Sequence, residues 1–467
     1  MILDDLADFT YSTNFNDLSE KMIQDIKNRF IDSLGLCLAA KSEELDTGVT
    51  EIMQEWGGKP SSNILGTNLK MPAASAALVN GTLAHSLDFD DTHLPSVLHP
   101  SASVIPGTIA QAQAVDASGK DVILAAALGL ELCVRIGMGG YLKAEGNIFF
   151  NKGWHATSIC GAIAVAGLSA KLLNLDKKGI GDAMSIAASM SSGIIEANRS
   201  GGSVKRLHCG WAAHSGIIAA SLAKGGFTGP PTVFEGRFGF YNAFLDGQYD
   251  EVVVTNGLGK KWLTEDIFYK PYPANHYTHA GIDAALALKQ EHDIKIDEIN
   301  EIHLYCPEDV LRTIAEPRAD KIKPESGYHA KFSGPFTVAT ALLGGGGLGV
   351  SFDDFTDQQA SDEQILNLAA KVQTFSDKEC DEIFPYQFPA KLHIIMQDDN
   401  KLTKDILVNR GGPNNPLSND ELKLKFKINA TKYLNEAEAD NLAKEIMVLD
   451  SYNNIDELIA LTIPANH

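Results

Sequence analysis

ATSICGAIAVAGLSAKLL, residues Ala156–Leu173, carries a single charged side chain and no proline. Small residues recur along it, so a helix built here lets neighbouring helix axes approach closely. The same composition repeats on both sides. Segments near 72–84, 101–113, 120–137, 178–197 and 210–225 are also rich in Ala and Gly, and each reads as a tightly packed, mostly buried helix. Upstream, Asp17-Leu18-Ser19-Glu20 has the pattern of a capping box, followed by Ile23, Ile26, Phe30 and Leu34 at helical spacing. Hardly any long alternating pattern appears before about residue 250.

The character then changes. Glu301–Tyr305 (EIHLY) and Lys391–Met396 (KLHIIM) alternate as strands do, and Asp398-Asp399-Asn400 turns the second into Leu402–Val408 as a hairpin. Arg410-Gly411-Gly412-Pro413 reads as a linker, with helices again over Leu417–Lys427 and Glu436–Leu449. The expected architecture is mainly α. A large all-helical domain is built from residues 1–268 plus 410–467, and a smaller α+β lid domain, 269–409, is inserted into it.

Charge and cysteine usage narrow the function classes. The chain has 467 residues, with 39 Lys+Arg against 60 Asp+Glu, a formal net charge of -21. Nucleic-acid affinity rests on clustered cations, so a phosphate-backbone binder is excluded, and an anionic membrane is repelled. An anionic substrate then has to be held by a few local cations against the field of the whole molecule. The six cysteines (37, 133, 160, 209, 306 and 380) form no CxxC pair and fit neither a zinc site nor a disulfide framework. The N-terminus, MILDDLADF, puts acids where a signal peptide needs basic and apolar regions. The longest apolar stretch, Val122–Val134, is interrupted by Glu131 and is too short to span a bilayer. A soluble, cytoplasmic protein is expected.

Chemistry-bearing residues gather in four stretches. The richest is His85-Ser86-Leu87-Asp88-Phe89-Asp90-Asp91-Thr92-His93-Leu94-Pro95-Ser96-Val97-Leu98-His99-Pro100-Ser101. Its prolines forbid one continuous helix, so a helix end and a shaped loop are expected. His and Asp on a loop held by rigid helices are natural acid–base groups, although they also serve as caps and backbone partners. Asp90, Asp91 and His93 allow a metal-dependent hydrolase reading, but no familiar ligand spacing is present, and no metal is expected. Gly153-Trp154-His155-Ala156-Thr157 opens the Ala-rich helix. An imidazole at a helix N-terminus feels the positive dipole end, which favours its neutral, proton-accepting form.

Gly201-Gly202-Ser203-Val204-Lys205-Arg206-Leu207-His208-Cys209-Gly210 sets two cations ahead of another helix. It reads as a carboxylate site within an acidic protein or as a solvated basic pair. Tyr269-Lys270-Pro271-Tyr272-Pro273-Ala274-Asn275-His276-Tyr277-Thr278-His279 is stiffened by two prolines, which would hold Lys270 rigidly at a domain junction. Gly344–Gly349 formally satisfies GxGxxG. It follows a helical segment, Phe336–Leu343, and no P-loop lysine comes after it, so dinucleotide binding is rejected.

Taken together, NGTLAHSLDFDDTHLPSVLHPSASVIP, NKGWHATSICGA, GGSVKRLHCGWAAHSG, GGFTGPPTVFEGRFGF, YKPYPANHYTH and AKFSGPF resemble the MmgE/PrpD family, in family order over most of the chain. That family includes 2-methylcitrate dehydratase, cis-aconitate decarboxylase and iminodisuccinate epimerase. The resemblance implies a helical domain carrying a lid-like α+β domain, a homodimer, and no metal or organic cofactor. It places active-site positions on Asp88, Thr92, His99, His155, Lys205 and Lys270. Asn275, with His276 beside it, stands where the decarboxylase branch has a histidine, and Phe336 stands where that branch has a tyrosine. Methylcitrate dehydratases tend to read DFNDT and HPSDN where this chain reads DFDDT and HPSA. The Thr92–His99 spacing is one residue longer than the usual decarboxylase pattern.

The resemblance also implies a shared chemistry. Dehydration, decarboxylation and epimerisation of small polycarboxylates can all pass through a carbanion beside a carboxylate, an enediolate-like dianion that fixed cations stabilise. Lys205 and Lys270 would offset its charge, with Arg206 beside them. His155 and His99 would form the proton-transfer pair, Asp88 would orient or tune a histidine, and Thr92 would donate a hydrogen bond. The expected activity is dehydration of 2-methylcitrate or a similar hydroxy-tricarboxylate, ahead of cis-aconitate decarboxylation and iminodisuccinate epimerisation. A catalytically silent, dimeric polycarboxylate-binding protein is the reading from another class.

Overall fold

The computed structural model describes residues 1–197 and 202–465. Its architecture is mainly α, as expected. The chain divides into two compact units, Met1–Ile267 with Phe426–His467, and Phe268–Lys425. The second division falls inside the helix Asn419–Ala430.

The first unit contains α1 (Ile2–Ser12), α2 (Glu20–Ser42), α3 (Thr47–Trp56), α4 (Ala73–His85), α5 (Ser101–Ala114), α6 (Gly119–Met138), α7 (Ala156–Leu172), α8 (Lys177–Met190) and α9 (Val204–Lys224). Its strands are two-residue pairs such as Tyr141–Leu142 with Gly146–Asn147. Close helix packing rests on glycine. A Cβ on Gly81 would stand 2.6 Å from the Gly210 Cα, and one on Gly210 would stand 2.1 Å from the Leu78 carbonyl oxygen. The α4–α9 crossing therefore has room only for two glycines. His85 ends α4 one turn beyond that crossing, and Lys205 and His208 lie on the first turns of α9.

Three local expectations are corrected. Ser19, not Asp17, caps α2, its hydroxyl accepting the Met22 N–H at 3.1 Å. Asp17 belongs instead to the preceding turn Phe15–Asp17, where it closes a capping box with Asn14. Lys205 and Arg206 do not precede the helix but lie in its first turn, since α9 begins at Val204. The helix expected over 178–197 stops at Met190. Beyond it the chain turns extended, Gly193 adopts φ +132°, and its carbonyl accepts the His155 N–H at 3.0 Å. Gly201 of the lysine motif lies outside the described residues.

The second unit is α+β. Its sheet contains β1 (Ile299–Cys306), β2 (Val372–Ser376), β3 (Ala390–Met396) and β4 (Lys401–Ile406), in the order β4-β3-β1-β2. β3 and β4 form the expected antiparallel hairpin, and β1 runs antiparallel to β3 but parallel to β2. In register, Ile302 faces Ile394 and Leu304 faces Leu392. These side chains share a core with Ile282, Ala285 and Leu288 of α10 (His279–Glu291) and with Val338 and Leu342 of α11 (Gly334–Leu343). β4 ends at Ile406, short of the expected Val408. There the Asn409 side chain exchanges hydrogen bonds with the Phe388 backbone and draws the chain out of the ladder. Gly344 ends α11 at φ +113°, so the glycine run that follows is a loop after a helix. Among the described residues, no helix is long and apolar enough to cross a membrane.

Candidate active site

The His85–Ser101 stretch folds as its prolines require, with α4 ending at His85 and α5 starting at Ser101. Between them Asp88 adopts the left-handed conformation (φ +54°), which Asp tolerates better than most residues. The loop is pinned at Asp91. Its carboxylate accepts from Ser101 N (3.1 Å) and Ser101 Oγ (2.5 Å) at the head of α5, and pairs with Arg29 Nη1 at 2.7 Å. Both charged side chains are 1% exposed. The Asp91 carbonyl accepts a hydrogen bond from His99 Nδ1 at 2.9 Å, which leaves Nε2 of a neutral His99 as an acceptor. Thr157 of α7 takes the His99 N–H at 3.1 Å, tying the loop to the next helix.

Further groups of the loop and of the neighbouring helices converge here. His85 Nδ1 lies 2.8 Å from Asp90 Oδ2, and Thr92 Oγ1 lies 3.4 Å from His99 Nδ1. Lys205 Nζ, from the first turn of α9, lies 3.7 Å from Asp88 Oδ2. His155 Nδ1 and His208 Nδ1 are 2.9 Å apart. The imidazole centroids run His99–His85 5.0 Å, His85–His155 5.8 Å and His155–His208 5.0 Å. Four imidazoles, two carboxylates and one ammonium thus share one buried cluster within the first unit.

Burial sets the electrostatics. His155 is held well below the ordinary histidine range, first by burial and then by the charges of His85 and Lys205. His208 is pushed down to about 4, again chiefly by burial. Both rings are therefore neutral near pH 7. One donates its Nδ1 proton to the other, which must carry its own proton on Nε2. Desolvation, rather than the helix dipole to which the sequence points, is the leading cause favouring a neutral His155.

His93, buried beside Ser96 Oγ at 2.6 Å, is pushed down to about 3 by burial alone. A folded pKa below the unfolded one means that the unfolded chain binds the proton first. Stability is therefore complete above about pH 6.5 and falls as the pH drops toward 3, by up to about 1.4 kcal/mol per pH unit for this residue. Asp283, pushed up to about 6 by burial, works in the opposite sense. A difference measurement separates the two. The urea unfolding free energy is expected to fall between pH 6.5 and 4.5 more steeply for the wild type than for His93→Gln. Parallel pH profiles would contradict this.

The remaining sequence candidates lie elsewhere. Arg206 is half-buried next to Lys205 in α9. Lys270, Asn275, His276 and Phe336 belong to the second unit. Lys270 is buried, 1% exposed. Asn275 Oδ1 accepts the Tyr277 N–H at 3.0 Å, and the His276 ring lies 4.5 Å from that of His279. Phe336 is wholly buried in the apolar core of its unit, near Phe355.

Arg29, His208 and the His85–Asp90 pair belong to the cluster or its support although no motif in the sequence marks them out. Arg29 carried a usable signal: it stands seven residues after Met22 and three after Ile26, a cation in step with an apolar face. For a metal, His85, Asp90 and His99 set one ligand-capable atom each within 4.8 Å of one another. Two imidazoles and a carboxylate suit a first-row transition ion. Both Nδ1 atoms are already engaged, with Asp90 and the Asp91 carbonyl, so an ion would have to bind through the Nε2 atoms.

Family comparison bears on both units. Residues 4–252 match the MmgE/PrpD N-terminal domain, and residues 272–451 match the MmgE/PrpD C-terminal domain. The chain belongs to the MmgE/PrpD family. Within that family it is similar to the cis-aconitate decarboxylase of Homo sapiens, with 28% identity covering 98% of this chain and 94% of the relative. The cis-aconitate decarboxylase of Aspergillus terreus shows 27% identity over 85% of this chain and 83% of its own. The mitochondrial 2-methylcitrate dehydratase of Yarrowia lipolytica shows 24% over 84% and 75%. The buried imidazole cluster lies within the part of the chain that matches the MmgE/PrpD N-terminal domain.

Proposed function

We propose that this chain is a cofactor-independent lyase of small polycarboxylates, working through a carbanion beside a carboxylate, with dehydration of a hydroxy-tricarboxylate such as 2-methylcitrate as its reaction. The observation that carries the reading is the neutral, buried His155–His208 pair beside Lys205. A neutral imidazole takes a proton from carbon, and a nearby fixed ammonium offsets the negative charge that develops. His155 and His99 move protons, and Asp88 positions Lys205 through their ion pair. Lys205 binds a substrate carboxylate. Thr92 and Arg206 complete substrate binding, whereas Phe336, wholly buried in the core of the second unit, takes no part. A homodimer, which the family resemblance implies, belongs to the same proposal, and so does a reducing, cytoplasmic compartment, which six buried thiols without disulfides support.

Decarboxylation of cis-aconitate is the second reading, favoured by the names of the relatives that align over most of the chain. It needs no base at the outset, only an acid for the new carbanion. Proton NMR of 2-methylcitrate, citrate, cis-aconitate and iminodisuccinate with the protein separates the two. Loss of water from a hydroxy acid is expected. Loss of carbon dioxide from cis-aconitate, with no hydroxy acid consumed, would establish the second reading. Turnover is expected to survive a chelator, whereas activity lost to it and restored by a divalent metal would assign a catalytic role to the His85–Asp90–His99 cluster.

A further inference from the structure

We infer that His85, oriented by Asp90, is a further catalytic residue: the acid that protonates the departing hydroxyl of a hydroxy-tricarboxylate. The inference rests on the hydro-lyase reading above. Asp90 as a carboxylate can only accept, so His85 Nδ1 is the donor of their 2.8 Å hydrogen bond, and the ring orientation is fixed. The pair is closed to solvent, with side chains 1% and 3% exposed. His85 Nε2 is buried and has no hydrogen-bond partner. A buried ring nitrogen is costly to leave unpaired, and here the partner falls to a ligand. His85 also stands between the two proton-transfer imidazoles, 5.0 Å from the His99 ring and 5.8 Å from that of His155.

The elimination then balances. His155 takes the proton from the carbon beside a carboxylate, and the C–H electron pair becomes the new C=C bond. The C–O bond breaks with its pair going to oxygen, and the Nε2 proton of imidazolium His85 passes to that oxygen. Water, the alkene, imidazolium His155 and neutral His85 result. His99, at 12% the more exposed ring, returns a proton to His85 from solvent. The assignment also sets the substrate class. A tertiary hydroxyl both pairs with Nε2 and needs its proton, whereas the ionised carboxylates of cis-aconitate offer acceptors only.

The test compares a hydroxy-tricarboxylate with its analogue in which fluorine replaces the hydroxyl, because fluoride leaves without a proton. In His85→Gln, elimination of water is expected to fall by about 100-fold or more, while elimination of fluoride loses far less. Asp90→Asn, which keeps the ring but removes its carboxylate, is expected to give the same split and serves if the first variant does not fold by circular dichroism. An equal loss on both substrates would show a structural role and overturn the inference, and so would an unchanged rate of water elimination. A wild type that eliminates water from no hydroxy acid overturns the hydro-lyase reading itself, and this inference with it.

Discussion

Replacing His155 by Ala is expected to lower substrate turnover by about 10² to 10⁴-fold, the usual contribution of a positioned proton-transfer group. The physical reason lies in the cluster around it. Burial, with His85 and Lys205 nearby, keeps this imidazole neutral. Its Nδ1 is engaged with His208 at 2.9 Å, so Nε2 is the atom through which it works on a ligand. Lys205→Ala is expected to cost about 10² to 10³-fold, because an ammonium fixed in a water-poor site acts on developing charge with little reorganisation. Steady-state rates on the substrate identified by NMR check both, with His155→Gln included to preserve packing. Full activity in either alanine variant would remove that residue from the site.

Arg29→Ala is expected to destabilise the fold by about 3 to 5 kcal/mol, the cost of leaving one partner of a buried ion pair alone. The guanidinium binds Asp91 at 2.7 Å, Asp25 at 2.8 Å and the Ile267 carbonyl at 3.2 Å. Burial already pushes the Asp91 carboxyl above its usual range, and Arg29 is the main opposing charge. Without it the Asp91 carboxylate that pins the loop to α5 is stranded, and with it the residue whose backbone carbonyl positions His99. Arg29→Met with Asp91→Leu is expected to recover part of the loss, less roughly 1 kcal/mol for the helix cap that Asp91 provides at Ser101. Urea unfolding measures both variants. A change below about 1 kcal/mol in Arg29→Ala would contradict the account, since that is the range of an exposed pair.

What the sequence disclosed follows from which interactions are local. Ala- and Gly-rich helices, the prolines bounding the His99 loop and the KLHIIM hairpin all depend on neighbours in the chain, and apart from the ends at Met190, Val204 and Ile406 they are where the periodicity places them. The pair Gly201-Gly202 suggests a loop reaching to the crossing glycine Gly210, whereas α9 begins at Val204. Arg29 was missed because its partner Asp91 lies 62 residues away, and no local pattern pairs them. His155 was read as neutral from the helix dipole. The larger cause, burial beneath α9 and α4, exists only once those helices cross.

The most direct measurement is solvent deuterium exchange at the carbon beside the substrate carboxylate, followed by proton NMR in deuterated water. The wild type is expected to incorporate deuterium there, while His155→Ala and Lys205→Ala, folded by circular dichroism, lose it together. Exchange that persists undiminished in both variants would contradict a carbanion formed and held by these groups.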